Sequence, residues 1–108
     1  METILFGEYA IYCDPGRIDL DAVEALLRQT YWAKERPREV IEKSLRNSII
    51  FGVFLHGEQV AVARVVTDCA TFGWVCDLVV DPDHRCKGLS KALMDAILAH
   101  PELRRCTD

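Results

Sequence analysis

The chain has 108 residues, 50% of them apolar and 28% charged, with a formal net charge of −4. That length holds one domain with a core large enough to stand without a metal or disulfide staple, and the apolar half argues against a disordered chain. The acidic balance argues against a nonspecific nucleic-acid binder, which needs surplus Lys and Arg, and no apolar run approaches the roughly 18 residues of a membrane helix.

In chain order, residues 8–13 read as a short strand ended by the turn Asp14-Pro15-Gly16. A helix follows, with Asp19 as its N-cap and Leu20, Val23, Leu27 and Tyr31 at helical spacing. A second helix is predicted from Pro37, with Val40, Ile41, Ser44 and Leu45 on one face. The continuous apolar run Ile49–Leu55 is that of a strand covered on both sides. His56-Gly57-Glu58 turns the chain into a strand over residues 60–67, where Val60, Val62, Arg64 and Val66 share a face. After a loop over residues 68–73, the strand 74–81 places Trp74, Cys76, Leu78 and Val80 on one side. Val75, Asp77, Val79 and Asp81 take the other side. The last helix, residues 88–100, carries a stripe of Leu89, Leu93, Ile97 and His100 and stops at Pro101. His100 there reads as a cation favourable to the helix C-terminus, and His56 as an exposed turn residue. The order predicts an α/β (α+β) domain: a mainly antiparallel sheet of about four strands with helices on both faces.

Five cysteines (Cys13, Cys69, Cys76, Cys86 and Cys106) form an odd count without a close pair. Neither a zinc site nor a disulfide framework is expected, and reduced thiols in the cytoplasm are.

The stretch from Leu78 to Lys91 carries the chemistry. A buried strand ends at Pro82, crosses a short polar loop and opens into a helix at Gly88. Unpaired N–H groups and the positive end of the dipole meet there, an anion site suited to a pyrophosphate. Gly88 removes a Cβ that would obstruct close approach, while Arg85, Lys87 and Lys91 add positive charge. His84, next to Arg85, is a further candidate phosphate contact. The loop lacks the GK[ST] of a P-loop and the glycines of a dinucleotide fingerprint.

Val80-Asp81-Pro82-Asp83-His84-Arg85-Cys86-Lys87-Gly88-Leu89-Ser90 resembles the V-x-P-x-x-[RQ]-x-x-G-x-[GA] hallmark of the GNAT superfamily of N-acetyltransferases. The β-α-α-β-β-β-α order in front of it is similar to that family's N-terminal portion. Cys86 stands where the family usually has Gly, and Ser90 where it has Gly or Ala. The resemblance implies that the backbone of Leu78, Val79 and Val80 pairs with the pantetheine arm of acetyl-CoA. It also implies that the N–H groups of Cys86, Lys87, Gly88, Leu89, Ser90 and Lys91 hold the pyrophosphate. The implied reaction is direct acetyl transfer from acetyl-CoA to a primary amine of a small molecule or protein. The family continues with further strands and a helix, including a Tyr that protonates the leaving thiolate. The single domain over residues 1–108 is therefore expected to be C-terminally truncated. A noncatalytic acyl-CoA-binding or interaction module is the alternative.

Asp77 has two readings. It could be the general base that deprotonates the acceptor. If residues 68–73 form a six-residue hairpin loop, Thr67 faces Trp74 and Arg64 lands opposite Asp77 as an ion pair that makes a poor base. Tyr31, Trp32 and Arg36 either shape the acceptor site, as the family's overhanging segment does, or belong to the core, where Tyr31 fits the buried stripe. The net charge hints at a basic acceptor. The strand over residues 74–81, left as a sheet edge, and the last helix, left with part of its stripe uncovered, are expected to give a homodimer or larger assembly that buries this edge or that helix.

Overall fold

The computed structural model describes residues 3–103; Cys106 lies outside them. One antiparallel sheet runs in sequence order through β1 (Ile4–Phe6), β2 (Tyr9–Tyr12), β3 (Ile49–Leu55), β4 (Glu58–Thr67) and β5 (Gly73–Val80). The helices α1 (Leu20–Leu27) and α2 (Arg38–Arg46) lie between β2 and β3, and α3 (Leu89–Ala99) follows β5. The sheet therefore has five strands rather than four. The additional strand is β1, three residues hairpinned onto β2 through Gly7 at φ +62, too short to show a period of two.

Two apolar clusters sandwich the sheet. On one side Val23, Leu26 and Leu27 of α1 and Ile41 of α2 meet Ile50, Val62 and Val79. On the other, Leu89, Leu93, Ala96 and Ile97 of α3 cover Phe51, Ala63, Val65 and Val80. Both faces of β3 are thus buried, as its unbroken apolar run requires. Phe51 is fully enclosed, and truncating such a ring costs about 3–5 kcal/mol.

Helix α1 begins where expected, with Asp19 accepting from the N–H groups of Asp21 and Ala22. It ends earlier than its periodicity suggests. Thr30 Oγ donates to the Leu27 carbonyl and accepts from Ala33 N–H, converting the next turn into a loop. Tyr31 consequently leaves the stripe and is 93% exposed, which removes it from the core. Pro37 is the N-cap of α2 rather than its first helical residue, and Val40 is turned outward.

Two bulges reassign faces. One between Val53 and Phe54 lets Val60 join the α3 side, apart from Val62. The other lies between Arg64 and Val65, opposite Cys76. Thr67 pairs with Gly73 and not with Trp74, and the extra residue restores Arg64 opposite Asp77. Val75 therefore packs toward α3 with Leu78, while Asp77 and Val79 remain on the α1 side. His100 packs edge-on against Phe51, and its Nδ1 accepts from Glu102 N–H. Burial lowers its pKa, so it is not the helix-terminal cation that its position suggested.

Candidate active site

Among the described residues strand β5 is a sheet edge, with β4 on one flank only. Asp81 N–H donates inward to Val60 O at 2.9 Å. Alternate residues of an antiparallel strand direct both backbone groups the same way, so Val79 faces β4 while Leu78 and Val80 present theirs to the open edge. Of these, the Val80 carbonyl is taken by Arg85 Nε at 3.2 Å. The open edge is thus narrower than three consecutive residues.

Past β5 a single 3-10 turn, Pro82–His84, is capped by the Asp81 carboxylate accepting from Asp83 N–H. The chain then passes through two left-handed residues, Cys86 at φ +63 and Gly88 at φ +82, before entering α3. No side chain caps α3, and its first internal bond is Ala92 N–H to Gly88 O. The N–H groups of its first turn are therefore available to an anion. Gly88 is favoured by its φ. A Cβ there would stand 3.3 Å from Phe6 of β1, so the glycine serves the packing of the β1 hairpin rather than an approach from the cleft.

A cleft of about 590 Å³ runs from this helix start along the end of β5 to the connection after α1. Leu78, Val79 and Val80 form its floor. Arg85, Cys86, Gly88, Leu89, Ser90 and Lys91 line one end, and Tyr31 and Trp32 the other. Lys87 is exposed and does not line it, and neither does Arg36. Gln29 and Thr30 do; nothing in their local sequence signals this, because it depends on α1 ending early. His84 also lines the cleft, but its Nδ1 is hydrogen-bonded to Tyr9 Oη at 3.0 Å, anchoring the loop to β2.

Asp77 sits at the aromatic end and is 3% exposed. Its Oδ2 accepts from Arg64 Nε at 2.8 Å and from Arg36 at 3.0 Å, and its Oδ1 from Trp32 Nε1 at 3.0 Å. Burial alone would raise its pKa. The hydrogen bonds from Arg64, Arg36 and Trp32 outweigh that and hold it below the usual carboxylate value. A carboxylate so placed is a weak proton acceptor, and the cross-strand ion pair with Arg64 that the register suggested is present. The cross-strand partner was visible in the register; Trp32 and Arg36, more than 40 residues away, were not.

The sequence profile described as Acetyltransferase (GNAT) family matches residues 20–107. A protein of Gibberella zeae, named an acetyltransferase by inference, is 30% identical, with 92% of this chain and 70% of that protein covered. A crystal structure from Xanthomonas campestris pv. campestris, assigned to the GNAT family, superposes with a TM-score of 0.85 and 42% identity, covering 91% of this chain and 71% of that one. A GNAT-family structure from Elizabethkingia anophelis with acetyl-CoA bound has the same fold at a TM-score of 0.64 and 13% identity. It aligns with 86% of this chain and 57% of that one.

Proposed function

Because the chain belongs to the GNAT family of acetyltransferases, we propose that it binds acetyl-CoA in this cleft and transfers the acetyl group to a primary amine. The observation that carries the reading is the continuity of the cleft. It joins an uncapped helix start with Arg85 and Lys91 to the open backbone of Leu78 and Val80. A pyrophosphate fits the first; an extended amide-bearing arm can add to the second as a short strand. Such an arm leads away from α3 toward Asp77, so the thioester would lie beside Trp32.

The transfer is direct. The amine nitrogen attacks the thioester carbonyl, a C–N bond forms, the C–S bond breaks, and the thiolate of CoA leaves and takes up a proton. The amine must reach the carbonyl as its free base, and Asp77, already claimed by three donors, does not take its proton. The same reading includes a homodimer through the Trp74 end of β5, clear of the Leu78 and Val80 edge that the arm would occupy, supported by that open edge and by Trp74, which is 68% exposed.

Ser90→Glu tests the cofactor site. The carboxylate enters the first turn of α3, where it favours the helix by about 0.3–1 kcal/mol while opposing a phosphate. Calorimetry should show acetyl-CoA binding weakened by about tenfold or more with the melting temperature unchanged or raised. Unchanged affinity would place the cofactor elsewhere. Turnover of acetyl-CoA in the unmodified chain separates an enzyme from a noncatalytic CoA-binding module.

A further inference from the structure

The two ends of the cleft differ in charge. Arg85 and Lys91 stand at the α3 end, while at the far end no Asp or Glu among the described residues lines the wall. Asp77, hydrogen-bonded to Trp32 behind that end, is shared by two guanidiniums and an indole N–H, which leaves the cluster with a net positive charge. An acceptor bearing several ammonium groups therefore finds no carboxylate on the described lining of the cleft. Among the described residues no Asp or Glu lines the cleft, so the negative net charge of the chain is carried elsewhere than on this wall.

That end offers aromatic surface instead. The rings of Tyr31 and Trp32 pack edge to face at 5.5 Å, and both line the cleft although Tyr31 is 93% and Trp32 48% exposed. Exposed aromatics of this size are unusual without a partner, and their faces suit an apolar body with one ammonium near it. The wall is also held in place. From β5, Asp77 grips Trp32 and Arg36. From α1, Arg28 donates to the carbonyls of Lys34 and Arg36 while pairing with Glu24.

We infer that Asp77 is a positioning residue that fixes Trp32 and Arg36 against β5, and that the Tyr31–Trp32 wall so formed takes an amine carried on an uncharged aromatic or aliphatic body. The inference rests on the acetyl-transfer reading and goes beyond it in naming the acceptor class. Acetylation of phenethylamine and of spermidine by the full chain, followed by chromatographic assay of released CoA, tests it.

Phenethylamine should be preferred by about tenfold or more in kcat/KM. Tyr31→Ala, at a ring too exposed to support the fold, should raise its KM about fivefold, leaving kcat and the KM for acetyl-CoA within about twofold. Trp32→Phe keeps a ring but removes the donor to Asp77 and should shift KM the same way. Asp77→Asn should raise KM and leave the acid limb of the kcat–pH profile in place. If that variant does not fold, the Tyr31 and Trp32 variants decide the matter. A preference for spermidine, an unchanged KM in Tyr31→Ala, or loss of the acid limb in Asp77→Asn at constant KM would overturn the inference. So would acetylation of neither amine while calorimetry shows acetyl-CoA bound, an outcome that leaves the cofactor site standing. Failure of the unmodified chain to bind acetyl-CoA refutes instead the functional reading beneath it.

Discussion

Cys86 and Gly88 both adopt left-handed backbone on the way into α3, at φ +63 and +82, yet only one of them is a glycine. This predicts substitutions of opposite sign two residues apart. A left-handed conformation costs an L-residue about 1–2 kcal/mol. Cys86→Gly removes that cost but gives the unfolded chain extra freedom, worth about 0.4–1 kcal/mol against folding. Cys86 is exposed, so little packing is lost, and the net effect is a stabilisation of roughly 0.5–1 kcal/mol. For a domain of this size that raises Tm by about 2–6 °C. Gly88→Ala reverses both contributions and adds a methyl 3.3 Å from Phe6 Cζ. Phe6 sits at the rim of the β1 hairpin and is 38% exposed, so it can yield. The backbone strain cannot, and Tm should fall by a similar amount. Thermal unfolding followed by circular dichroism at neutral pH measures both. Shifts of the same sign, or a lower Tm for Cys86→Gly, would refute the left-handed geometry on which the amide cradle of α3 depends.

Asp77 also makes stability depend on acid. Its pKa is depressed in the folded state, so its contribution is present above the unfolded value of about 3.9 and is lost as pH falls through the folded one. Asp77→Asn should cost about 3–5 kcal/mol at pH 7, by leaving Arg36 and Arg64 without their partner, and progressively less toward pH 3. Urea unfolding at the two pH values checks this; a gap that stays constant would mean the carboxylate is not ionised in the fold. Association through β5 should appear as an assembly larger than a monomer by light scattering at tens of micromolar. Trp74→Lys, which places a charge on the open edge, should return it to a monomer; a monomeric unmodified chain would refute the pairing.

The elements legible in the sequence are those whose signals are local. The apolar run of β3, the Asp19 cap of α1 and the strand–loop–helix passage from Leu78 to Lys91 each depend on residues within a turn or two of one another. Backbone sterics, capping and dipole direction act over that range and need no partner. The strand–loop–helix passage at one end of the cleft was therefore readable before any fold was known. What only tertiary structure decided concerns contacts distant in the chain. The bulge opposite Cys76 moved Val75 to the α3 face while keeping Arg64 opposite Asp77, because a five-residue loop and one extra strand residue replaced the six-residue loop inferred from spacing. The early end of α1 turned Tyr31 from a core position into a wall. Beside Arg64, which the register showed, two further partners of Asp77 came from a segment 41 and 45 residues earlier, so the full set of charges around that carboxylate was not written in its neighbours. A protonation state follows from burial and from the charges that the fold brings close, and both exist only once the sheet and the α1–α2 connection have met.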